Sequence, residues 1–151
     1  MEYTKDERTY KLTLRDIHVG DWVQVWSEIT ERYSPPLKII QICDDGTIYL
    51  VTSDEERATP WEENIKDVDA LPITPELLRG FGFEVIDDMT KYLVYYNNIK
   101  IGYTRVGYSI LCNHPMGIYT GYMHVLFDIL IRKKVLENVN FEWKGLNTTQ
   151  L

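Results

Sequence analysis

An α+β fold in two parts is what this sequence predicts, and three observations carry the expectation. Short β-rich runs fill the first 70 residues, broken at Ser34-Pro35-Pro36 and Asp44-Asp45-Gly46. The stretch LPITPELLRGFGF (71–83) then packs a helix start and a helix stop into a few positions. Beyond it the hydrophobic period is first that of strands and then, from about Ile118, that of a helix. Charge changes at the same seam. Residues 1–70 carry 8 Lys/Arg against 16 Asp/Glu, giving −8, and residues 71–151 carry 8 against 7, giving +1, which together make the net −7.

In the first unit, residues 1–70, TYKLTL (9–14) alternates weakly and reads as a strand. Gly20-Asp21 leads into DWVQVWS (21–27), where Trp22, Gln24 and Trp26 take one strand face and Val23 and Val25 the other. Ser34-Pro35-Pro36 blocks any helix and marks a loop. LKIIQIC (37–43) and TIYLVT (47–52) flank Asp44-Asp45-Gly46, whose glycine tolerates the positive φ of a hairpin turn. SDEERATP (53–60) is a polar connection to the segment from Trp61 to Asp69. A glycine-led Trp/Val strand, a loop and a DDG hairpin together predict a small, strongly bent barrel of the SH3 type. A barrel of about 70 residues is marginal by itself, so the two units are expected to share an interface.

The second unit, residues 71–151, is expected to run α-β-β-β-α. Thr74 stands as a helix N-cap, Pro75 at the first helical position and Glu76 near the positive end of the helix dipole. Leu77 and Leu78 supply the apolar side, and Gly80 and Gly82 end the helix. FEVID (83–87), KYLVYYN (91–97), KIGYTRV (100–106) and GYSILCN (107–113) read as an antiparallel meander, with Asn97-Asn98 as a tight turn. A long helix is predicted from about Ile118 to Val135, with a broad apolar arc through Ile118, Tyr122, Met123, Leu126, Ile129 and Leu130. NFEW (140–143) reads as a final strand. The 118–131 segment is apolar nearly all round, so Met123, Phe127 and Ile131 point to a homo-oligomer formed through this helix.

Composition narrows the functional classes. Hydrophobic residues make up 44% and charged residues 26% of 151 positions, an ordinary globular profile. An acidic chain repels phosphate backbones, which argues against nucleic acid as a partner. The N-terminus MEYTKDERTYK lacks an apolar signal core, and the longest apolar segment, near 122–131, is too short to span a membrane. A cytoplasmic location, with no membrane partner, is the expectation. Cys43 and Cys112 do not form a secreted disulfide framework and read as small buried hydrophobes. The acidic clusters lack the spacing of a calcium loop, no set of about four zinc ligands repeats, and phosphate-binding glycine loops are missing. No metal or cofactor is expected.

Three groups of residues remain as candidates. His124, Asp128 and Arg132 stand at i, i+4 and i+8, a spacing that suits acid–base work by a His–Asp pair. The same spacing is that of a solvent-facing ion-pair ladder, and without a nucleophile tied to it the ladder is the preferred reading. Cys112 and His114 lie two residues apart, but a catalytic Cys–His pair meets in space rather than in sequence. Tyrosine is the compositional oddity, with seven of eleven between residues 92 and 122. Tyr95, Tyr96, Tyr103 and Tyr108 are the candidate binding residues, because tyrosine combines rigid contact area with a hydroxyl. Adjacent Tyr95 and Tyr96 must point to opposite faces of their strand.

Three segments also carry a family resemblance. Residues 16–23, Asp16-Ile17-His18-Val19-Gly20-Asp21-Trp22-Val23, resemble an opening of the form L-R-I-G-D-x-V. Leu71-Pro72-Ile73-Thr74-Pro75-Glu76-Leu77-Leu78 with Gly82-Phe83 is similar to a central I-P-L-T-P-E-I-L…G-F/W. Tyr122-Met123-His124-Val125-Leu126 resembles the start of a C-terminal Y-V-H-E-L-Q helix, although Val125-Leu126-Phe127 replaces its polar E-L-Q. In this order the segments resemble a family of short uncharacterised proteins from gut-dwelling anaerobic bacteria and their phages or mobile elements. The resemblance implies an origin and no particular activity. The expected function is therefore that of a non-enzymatic accessory module binding a protein or peptide. The alternative is a small enzyme using His124 with Asp128, or the Cys112/His114 pair.

Overall fold

Gly20 adopts φ +100° and delivers the chain into β1 (Trp22–Ser27), the strand on which the first unit is built. The computed structural model describes residues 11–53, 57–104, 110–112, 118–132, 134–137 and 139–145. It is mixed α+β, with antiparallel sheets, and divides into two compact units, Met1–Leu71 and Pro72–Leu151.

In the first unit β1 is joined by β2 (Arg32–Tyr33), β3 (Leu37–Ile42), β4 (Thr47–Val51), β5 (Trp61–Asn64) and β6 (Val68–Ala70). The strands run in the order β2-β1-β3-β4-β5, and β6 returns to pair with β1. Val23 has Leu37 on one side and Ala70 on the other, so β1 is shared and the sheet curls into a half-barrel. A bulge between Ile39 and Gln41 sharpens that curl, because an extra residue on one strand bends it and increases its twist. Val23, Leu37, Ile39, Ile48, Leu50 and Val68 are fully buried in the concavity.

Both faces of β1 are covered, from Trp22 through Trp26. Gln24 is accommodated because its amide Nε2 donates to the Ala70 carbonyl at 2.9 Å, and a buried amide with a partner avoids the desolvation penalty of an unpaired one. The DDG hairpin forms as expected. Gly46 has φ +94°, Cys43 N–H donates to Thr47 O at 2.9 Å, and Thr47 N–H donates to Asp45 Oδ1 at 2.9 Å. That donor and the Thr47 hydroxyl hold the Asp45 carboxyl below its ordinary value. After β5 the Asn64 side chain accepts from Lys66 N–H and closes a 3-10 turn, Ile65–Asp67, which feeds β6.

The expected strand at 9–14 does not form over its described part. Lys11 bridges Asp69, and Leu12 N–H donates to Val68 O at 3.3 Å. The Asp16 carboxylate then draws the chain away by accepting from both Thr13 N–H and Thr13 Oγ1 at 2.8 Å, which starts a 3-10 turn, Leu14–Asp16. Short polar side chains compete with the strand ladder in this way.

The second unit opens with α1 (Pro75–Gly80), capped by the Thr74 side chain accepting from Leu77 N–H at 3.1 Å. It ends in a Schellman motif: Phe83 N–H donates to Leu78 O and Gly82 N–H to Arg79 O, both at 3.0 Å. Gly82 supplies the required positive φ of +93°. A five-stranded antiparallel meander follows: β7 (Glu84–Asp88), β8 (Lys91–Tyr96), β9 (Ile99–Thr104), β10 (Ile110–Cys112) and β11 (Ile118–Thr120). Asn97 and Asn98 both take positive φ, the signature of the tight hairpin turn between β8 and β9.

The C-terminal helix α2 is shorter than its hydrophobic period suggests. Ile118–Thr120 is strand β11, paired with β10, and α2 occupies only Met123–Arg132. Apolar and aromatic residues at 118–120 fit either period, and pairing with a neighbouring strand decides between them. Met123 and Phe127 are buried within the chain, while Ile131 is 49% exposed. Residues 140–143 form no strand. Instead Phe141 stacks on Phe127 at 4.0 Å, Trp143 meets Phe81 edge-on at 5.1 Å, and Lys144 N–H donates to Gly80 O at 2.8 Å. An aromatic cluster thus fills one part of the unit's core, with Phe83 and Tyr96 meeting at 4.9 Å, beside aliphatic residues such as Ile73, Leu78, Leu126 and Leu130.

Candidate binding site

An open cavity of about 550 Å³ lies in the first unit, walled by the β1–β2 hairpin, by β5 and by the 3-10 turn after it. The hairpin wall is rigid for local reasons. Trp26 pairs with Tyr33 across the two strands, and their rings meet edge to face at 4.9 Å and 66°. The Tyr33 hydroxyl donates to Oδ2 of the buried Asp69 at 2.6 Å, which fixes the ring against β6. Ser34 Oγ accepts from Val25 N–H at 2.9 Å, and Ser34 N–H donates to Val25 O at 2.8 Å, so the strand end is clamped at two points. The loop between the strands closes through Glu31 N–H to Ser27 O at 2.8 Å, with Glu31 at φ +54°, and leaves Ile29 96% exposed at its tip.

The opposite wall comes from β5, where alternation places Trp61 and Glu63 together and turns Glu62 away. Glu62 instead accepts from the Tyr49 hydroxyl at 2.9 Å, which, with the Glu62 charge, raises the Tyr49 pKa. Trp61 is 39% exposed, a large indole surface open to solvent. Glu63 is pushed above its ordinary value first by partial burial and second by the nearby Asp67 carboxylate. Lys66 and Asp67 of the 3-10 turn, with Glu28 and Arg32 of the hairpin, complete the charged rim. The cavity's volume falls in the range of about 300–1,000 Å³ typical of ligand sites, and its lining is more charged than the mostly apolar walls common in such sites.

The residues singled out from the sequence lie elsewhere. His124 is buried on α2 beside the Tyr122 ring, with centroids 6.2 Å apart, so it is not part of a solvent-facing ladder. Asp128 is exposed and pairs with Arg132, whose Nη2 lies 3.2 Å from both carboxylate oxygens. Cys112 ends β10, and His114 falls outside the described residues. Tyr96 packs into the aromatic core against Phe83 and Phe141, while Tyr95 alternates to the other face of β8. Tyr103, paired in register with Leu93, has the Lys91 ammonium 5.1 Å from its ring centroid. Tyr108 falls outside the described residues.

Among the described residues no group of three or more His, Cys, Asp or Glu is placed to hold a metal ion. Among them, too, no helix is long and apolar enough to cross a membrane. The cavity residues were not singled out from the sequence, because an exposed tryptophan reads like a core one until its strand's neighbours are known. The usable signal was the alternation Trp61-x-Glu63 directly after the polar stretch ending at Pro60. Comparison with protein-family models, with curated proteins and with solved structures finds no match to this chain.

Proposed function

We propose that this chain is a non-enzymatic accessory module that binds a short segment of a partner protein in the cavity of its first unit. The observation that carries this reading is the pairing of an open cavity of about 550 Å³ with the exposed Trp61 indole and the rigid Trp26–Tyr33 wall. Large, pre-positioned aromatic surfaces dominate recognition energetics, because they bury much area at little entropic cost.

The first unit is an SH3-like barrel in this proposal. Its support is the connectivity: the β1-β3-β4-β5 meander, a 3-10 turn, and β6 returning to β1. A cytoplasmic setting and an origin among gut bacteria, their phages or mobile elements are part of the same proposal, the origin on the resemblance of the three segments alone. Selection from a displayed random heptapeptide library tests the reading. Peptides that bind the chain and are lost on Trp61→Ala, with the fold intact by circular dichroism, support it. Failure to enrich any peptide, or enrichment indifferent to Trp61→Ala, overturns it.

A further inference from the structure

The charge arrangement of the cavity goes one step further than its shape. Trp61 and Glu63 stand two residues apart on one strand, so an indole face and a carboxylate share a wall. Asp67, arriving from the 3-10 turn, adds a second carboxylate near the first, and Glu28 adds a third from the hairpin. Arg32 and Lys66 are the cationic members of the lining, leaving three carboxylates against two cations. The surrounding chain has the same sign, since residues 1–70 carry 16 acidic and 8 basic side chains.

Glu63 is displaced upward first by its partial burial and second by the Asp67 carboxylate, and a cation brought beside it offsets the cost of keeping it charged. An indole face attracts a cation through its quadrupole, most strongly where water is partly excluded. With three carboxylates against two cations in the lining, a carboxylate or phosphate ligand is less well matched here than a cation. The net charge of the unit also draws cationic ligands in from a distance.

Resting on the reading of this cavity as a peptide site, we infer that the bound segment inserts a lysine or arginine side chain between the Trp61 indole and the Glu63 and Asp67 carboxylates. The cation is the feature that selects the partner, and the aromatic walls hold the flanking residues.

The heptapeptide selection, repeated on the intact chain and on Glu63→Gln, distinguishes this inference from the reading beneath it. The expected result is a lysine or arginine at one common position of the enriched peptides. Synthetic versions with norleucine at that position should bind about tenfold more weakly. Glu63→Gln should reduce that preference, narrowing the gap in affinity between the lysine or arginine peptide and its norleucine version. Enriched peptides that depend on Trp61 but carry no common cation, or that tolerate norleucine without loss, overturn the cation inference and leave the peptide site standing. A selection that enriches nothing removes both.

Discussion

Gly80 offers a test of the packing that depends on sign rather than size. It is the last residue of α1, it is buried, and a Cβ built on it would overlap the ring of Trp143. The ring cannot simply withdraw, because Lys144 N–H is bonded to Gly80 O at 2.8 Å and Trp143 meets Phe81 at 5.1 Å. Overpacking of this kind costs about 1–3 kcal/mol. Against it, alanine is favoured over glycine inside a helix by about 1 kcal/mol, and by less at a helix end. Gly80→Ala in the unaltered chain should therefore lower the stability of the second unit by roughly 1–2 kcal/mol. With Trp143→Ala already in place the overlap is gone, and the same change should raise stability by about 0.5 kcal/mol. The coupling between the two positions is then about 2 kcal/mol, within the range found for residues in direct contact. Urea denaturation of the four chains of this cycle, followed through the amide signals of Leu78 and Leu126, measures it within the second unit. An equal effect of Gly80→Ala in both backgrounds would refute the seating of Trp143 on α1.

Three further outcomes follow from single side chains. Tyr33→Phe removes the donor at 2.6 Å from the buried Asp69 carboxylate and should cost roughly 1–3 kcal/mol in urea denaturation of the first unit. Met89 is 97% exposed with φ +59°, so Met89→Asn should raise stability by up to about 1 kcal/mol, read by the same method on the second unit. Glu63 has a raised pKa, so its ionisation opposes folding at neutral pH. Glu63→Gln should accordingly stabilise the first unit at pH 7, by less than about 1 kcal/mol because the group is largely solvated. The gain should fade as pH falls through the raised Glu63 value and vanish below the ordinary 4.5, where Glu63 is protonated in both folded and unfolded chains. A stability difference that stays constant across pH would contradict that assignment.

The local rules were legible wherever a residue type can do only one thing. Thr74, Pro75 and Gly82 bracket α1 as their chemistry demands, and Gly46 and Asn97-Asn98 mark their turns. Reading failed where identity is ambiguous and a distant partner decides. Residues 118–120 have helical company in sequence but pair with β10, and Phe141 and Trp143 look like strand residues but fill an aromatic core. His124 reads as solvent-facing from its spacing, yet it is buried, because the polar sector of α2 is narrower than a helical wheel suggests. The cavity was hidden for the same reason. Trp26, Tyr33, Trp61 and Glu63 come from segments up to tens of residues apart, and only the return of the sheet after the Gly46 hairpin assembles them.

The proposal that the first unit holds the ligand is tested most directly by mapping amide and indole chemical shifts as a selected heptapeptide is added to saturation. The largest changes should fall at Trp26, Tyr33, Trp61 and Glu63, with the Trp61 indole N–H among them. Changes concentrated instead at Tyr95 and Tyr103 of the β8–β9 face, with the Trp61 indole unmoved, would contradict it.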